Sequence, residues 1–160
     1  MRGIPIKLCR LVGVILDAAD RPALAITWWR RAAALGDAFS QNDLAVRYIE
    51  GRGATIDLPT ALTWLRLAAG QDNMYAQANL GLLYYEGKGV EQDLTKAKCW
   101  YTLAAEKGHP ESQYNLGLMH ENGEGGSPDV NRAKAWYEAA AIQGLAEAQT
   151  ELLRFNRNET

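Results

Sequence analysis

The chain has 160 residues, a formal net charge of −2, and 48% hydrophobic against 22% charged residues. That is enough for one domain burying roughly 70% of its unfolded surface, which excludes a disordered chain. No Lys/Arg cluster offers a nucleic-acid face, and no apolar run is long enough to span a membrane, so neither partner is expected.

From the N-terminus, Arg2, Lys7 and Arg10 precede the apolar run Leu11–Leu16, and Ala23-Leu24-Ala25 resembles a cleavage motif. A secretory signal would send the chain to the periplasm or outside the cell. Asp17 ends the run early, however, and the motif falls inside a segment that repeats downstream. Residues 1–22 are therefore read as part of the folded chain. Ile4, Leu8, Leu11 and Ile15 fall on one helical face.

Beyond this point the chain repeats every 36 residues. Trp28, Trp64, Trp100 and Trp136 mark the step. Leu44, Leu80, Leu116 and Leu152 keep the same register, as do Gln41, Gln77, Gln113 and Gln149. Each unit reads as two helices. The first covers about 38–50, 74–86 and 110–122, with its apolar stripe at Ala76, Leu80 and Tyr84. Gly51, Gly87 and Gly123 end it. Asp57, Asp93 and Asp129 open the second helix as N-caps. There Ala97, Trp100, Tyr101, Ala104 and Ala105 form the buried stripe, with the tryptophan filling the gap beside the paired alanines. A lone hairpin cannot bury such a stripe, but stacked hairpins can. The expected fold is all-α: one α/α superhelical solenoid of stacked hairpins over 1–160. It comprises a degenerate first repeat at 1–37, where Ile15 and Asp17 replace the two glycines. Repeats follow at 38–73, 74–109 and 110–145, and a C-terminal capping helix occupies 146–160.

The signature Ala-Gln-Ala-Asn-Leu-Gly-x-x-Tyr-x-x-Gly-x-Gly-Val runs from Ala76 to Val90. It continues as Asp93-x-x-Lys-Ala-x-x-Trp-Tyr-x-x-Ala-Ala-x-x-Gly to Gly108. This closely resembles the Sel1-like repeat (SLR), a relative of the tetratricopeptide repeat. The pattern departs at Asp72, at His120 in the tyrosine column, and through residues 1–22. The resemblance implies a protein-interaction scaffold, or adaptor, of bacterial type. Some bacterial relatives neutralise secreted toxins, which makes an immunity partner in the envelope the alternative. Cysteine-rich members linked to penicillin binding make a weak β-lactam-binding hydrolase a more distant one. This chain lacks their cysteine pairs: Cys9 and Cys99 read as packed free thiols, which favours a reducing, cytoplasmic setting.

No catalytic constellation is legible, and no metal or cofactor is expected. His109 lies in a turn, His120 replaces a tyrosine, and the aspartates come one per unit as caps. Gly87-Lys88-Gly89 follows a helix rather than a strand, so it is no phosphate loop. The four glutamines read as a ladder that spaces the hairpins. Positions that vary between units are better binding candidates, because stacking does not dictate them. In tetratricopeptide-like arrays the first helices line the concave wall. Here that wall would take Phe39, Asn42, Val46 and Ile49, then Tyr75, Ala78, Leu82 and Tyr85, then Glu111, Tyr114, Leu118 and Glu121. The expectation is a monomer that grips a protein or peptide there. The aromatics Phe39, Tyr75, Tyr85 and Tyr114 would act as anchors, and the acidic rim would favour a basic stretch.

Overall fold

The computed structural model describes residues 4–158. Among these there are nine helices and no strand: α1 (Ile6–Ala18), α2 (Pro22–Ala34), α3 (Ala38–Glu50), α4 (Leu58–Ala69), α5 (Met74–Glu86), α6 (Leu94–Glu106), α7 (Pro110–Asn122), α8 (Val130–Ile142) and α9 (Ala146–Asn158). The chain divides into two compact units, Met1–Ala76 and Gln77–Thr160, with the division inside α5. In the first unit α1 packs on α2, α2 on α3 and α3 on α4. In the second, α6 packs on α7, α7 on α8 and α8 on α9.

Local chemistry sets the helix ends. Asp57, Asp93 and Asp129 accept hydrogen bonds from the amides of Thr60, Lys96 and Arg132 at 3.1, 2.9 and 3.0 Å. The first helices are capped by changing residues that do the same work. Asp37 takes the Ser40 amide at 2.9 Å, Asn73 the Ala76 amide at 2.9 Å, and the His109 Nδ1 the Ser112 amide at 3.2 Å. Gly51 and Gly123 close α3 and α7 at φ 74° and 71°, in the left-handed region that a side chain resists. With Ile15 and Asp17 at the glycine positions, α1 runs on to Ala18. Its link to α2 shrinks to residues 19–21, closed by Asp20 at φ 53° and by the Arg21 amide on the Leu16 carbonyl, 2.9 Å.

The cores differ from the sequence reading at the tryptophans. Trp28, Trp64, Trp100 and Trp136 are only half-buried. The residue that fills the gap beside the alanines is the next one: Trp29, Leu65, Tyr101 or Tyr137, all buried. One position along a helix is a rotation of about 100°, enough to move a side chain from flank to core. Small partners receive these rings. Gly81 lies against Tyr101, Gly117 against Tyr137 and Gly13 against Trp29, each with no room for a Cβ. Helix α1 packs through its small residues. Its buried side is Cys9 and Gly13, whereas Leu8, Leu11 and Ile15 face outward, the last two each 55% exposed.

The glutamines space the hairpins. The side-chain amides of Gln41, Gln113 and Gln149 donate to the carbonyls of Ala33, Ala105 and Ala141 at 3.1, 3.1 and 3.3 Å. Each adds a second donor to a carbonyl in the last turn of the preceding helix, which also accepts the amide of Gly36, Gly108 or Gly144. The oxygens of Gln41 and Gln113 in turn accept from Gln71 and Gln143 at 2.8 Å.

Candidate functional site

In the first unit Phe39 is 52% exposed, and its ring meets Tyr75 with centroids 6.4 Å apart. The Arg10 guanidinium lies over Phe39, 5.6 Å from the centroid, an arrangement that favours the cation. Val46 and Ile49 are half-buried. Asn42 is buried and bonds to Asp43 at 3.4 Å, so it packs rather than lines a surface. Burial pushes the Asp43 carboxyl above its ordinary range, the adjacent Asn42 working against that rise.

The same unit holds a polar knot. Asp17 accepts the Trp29 indole N–H at 2.8 Å and pairs with Arg47, with Arg52 4.0 Å away. Arg47 also stacks on Trp29, 4.7 Å from the ring centroid. Burial, then the neighbouring Arg52 charge, lowers the Arg47 guanidinium to about 10, so it stays charged at neutral pH. These groups hold α1, α2 and α3 together and leave no open site.

In the second unit α5 and α7 flank an apolar trough floored by the Tyr101 ring. Two adjoining cavities of about 170 and 150 Å³ share Leu82, Tyr101 and Asn115. Leu82 is 42% exposed, and Tyr85 and Leu118 are half-buried beside it. Glu111 stands at one end, with its carboxylate 3.5 Å from the His109 ring. Ala78 forms part of the wall at that end but is itself buried. Burial, then the adjoining Glu124 carboxylate, raises the Tyr85 phenol above its usual range. Burial and the Glu86 charge do the same to Tyr101, partly opposed by its hydrogen bond with Asn115.

Tyr114 and Glu121 lie on another side of α7. Tyr114 packs on Tyr137 at 5.7 Å, and Tyr137 packs on Phe155 of α9 at 5.9 Å. Glu121 accepts the Tyr137 hydroxyl at 2.9 Å and pairs with Arg154. Its charge is therefore satisfied inside the chain. Glu86, Asn115 and Glu124 line the trough instead, and the sequence reading passed over them. Asn115 follows Tyr114 by one position, and which of the two faces α5 depends on how α7 is rotated in place. Glu124 sits in the loop after α7, where no periodicity marks it.

The His109 Nδ1 lies 3.0 Å from the Ser112 hydroxyl, which is buried, and Glu111 is 3.5 Å from the other ring nitrogen. His109 is the cap of α7, and burial lowers its ring below the ordinary value. His120 is buried at the tyrosine position, and burial, then the Lys98 and Arg132 charges, lower its ring as well. No group of three His, Cys, Asp or Glu side chains among the described residues could hold a metal ion. No helix among them is long and apolar enough to cross a membrane.

Capped hairpins of one length, carrying an apolar trough, define an all-α helical-repeat protein. The chain belongs to the Sel1 repeat family: the Sel1 repeat model matches residues 9–37, 38–73, 75–109 and 110–145. It is similar to a Sel1 repeat protein from Oxalobacter formigenes, with 32% identity and a TM-score of 0.87, covering 92% of this chain and 62% of that one. It also resembles a protective antigen with an SLR fold from uropathogenic Escherichia coli, with 32% identity and a TM-score of 0.86, over 92% of this chain and 32% of that one. The Helicobacter pylori cysteine-rich protein B shares the fold at 23% identity and a TM-score of 0.65, over 80% of this chain and 92% of that one. The chain thus spans less than two thirds of the first two relatives. No match was found among curated proteins. Sel1 repeat proteins generally act as protein-interaction scaffolds and are generally not enzymes.

Proposed function

We propose that the chain is a scaffold that captures a segment of a partner protein in the trough between α5 and α7. The observation that carries this reading is the pair of joined cavities beside the exposed Leu82. The Ser112 hydroxyl lies 3.0 Å from the His109 Nδ1 at one end of them, but Ser112 is buried and the same nitrogen takes its amide as the cap of α7. Aromatic and aliphatic anchors in such a recess carry most of the energy of a protein contact. The first unit would add Phe39, Tyr75, Val46 and Ile49 as separate contacts.

The test is affinity capture from lysate with the full chain and with the Leu82→Asp/Tyr85→Ala variant, both shown folded by circular dichroism. Partners held by the parent and lost from the variant support the reading. Partners held equally by both overturn it. We also propose a reducing, cytoplasmic setting, supported by the free thiols of Cys9 and Cys99. A shortened intact mass for chains recovered from the cell envelope would contradict that setting.

A further inference from the structure

The larger of the two cavities is not simply apolar. Leu82, Leu118 and Met119 wall it, but Glu86 and Glu124 also line it. No lysine or arginine lines it. The Glu124 Oε1 receives the Asn122 amide at 3.3 Å, whereas its Oε2 is buried and receives no hydrogen bond. The neighbouring Tyr85 hydroxyl is hydrogen-bonded to this carboxylate, which still leaves its second oxygen short of donors. The Tyr85 ring adds an aromatic wall on which a cation can stack.

From this geometry we infer that the cavity is the subsite for one arginine side chain of the captured segment. This rests on the scaffold reading above and specifies its partner. The aliphatic stem of arginine suits the leucine and methionine wall, and its charged head suits the two carboxylates. The planar fork carries five N–H donors, enough to serve Glu86, Glu124 and the Asn115 carbonyl together, where lysine offers three. A leucine would fill the wall but bring no donor and no charge to the carboxylates. A glutamate would face two like charges.

A random-peptide phage library selected on the full chain tests this, alongside the isosteric Glu86→Gln/Glu124→Gln variant. The expected result is enrichment of arginine at one register position among apolar residues, with the enrichment lost on the variant. A selected peptide made synthetically should weaken about ten- to a hundredfold when its arginine is replaced by norleucine. On the variant the two peptides should bind alike. Selected peptides without arginine enrichment, or with the same enrichment on the variant, overturn the arginine subsite and leave the scaffold reading standing. Arginine-bearing peptides whose binding survives Leu82→Asp place the site elsewhere and overturn both. Failure to select any peptide above background also overturns both.

Discussion

Single residues here do more structural work than their repeat positions suggest. Asp17 stands where other units have glycine, and it joins three helices by accepting the Trp29 indole and pairing with Arg47. Both charges are largely shielded, so removing one leaves the other stranded. Asp17→Asn should therefore cost about 3 kcal/mol in a urea titration, against less than about 0.5 kcal/mol for an exposed acid such as Glu138→Gln. The histidines couple stability to pH. Burial lowers both rings below 6.5, so the native state prefers them neutral. The neutral His109 ring also accepts the Ser112 amide, which a protonated ring cannot do. Depressed folded values mean that this stability is complete above pH about 6.5 and is lost as pH falls through the folded values. Glu111 offsets part of the effect at His109. His109→Asp/His120→Tyr restores the residue types used at the equivalent positions of other units. Thermal melts should show the parent weakening as pH falls below about 6.5 while this variant changes less.

At the scale of elements, caps and glycines divide the chain, but their surroundings decide what each is worth. Gly108 and Gly125 both hold left-handed backbone, at φ 89° and 65°. A Cβ on Gly108 meets nothing within 4 Å, whereas one on Gly125 would come within 2.6 Å of the Leu94 carbonyl oxygen. Gly108→Ala should cost about 1 kcal/mol, from backbone preference alone. Gly125→Ala should cost clearly more, because the loop must move off the start of α6. Comparing urea midpoints of the two variants checks this, and equal losses would contradict it. The sequence placed these glycines and the aspartate caps correctly, since both effects act within a few residues. It mistook the tryptophans for the core filler. That error concerns which way a helix faces, and neighbouring helices decide that.

For the whole molecule, catalysis is not expected, because Sel1 repeat proteins are generally not enzymes. Hydrolysis of a β-lactam needs an accessible nucleophile beside a base, and the Ser112 hydroxyl, 3.0 Å from the His109 ring, is buried within the cap of α7. A chromogenic β-lactam incubated with the purified chain should be hydrolysed no faster than in buffer. Turnover that persists through purification would require a site not described above. By itself the sequence determined the repeat length, the hairpins, their caps and the family. Those follow from short-range hydrogen bonding and from a hydrophobic period written into every unit. Only the tertiary structure decided that Asn115 rather than Tyr114 faces α5, that Glu121 is neutralised by Arg154, and that Glu86 and Glu124 share a cavity. The reason is physical: a helix keeps its period however it is turned, and packing against distant residues chooses the rotation that brings side chains together.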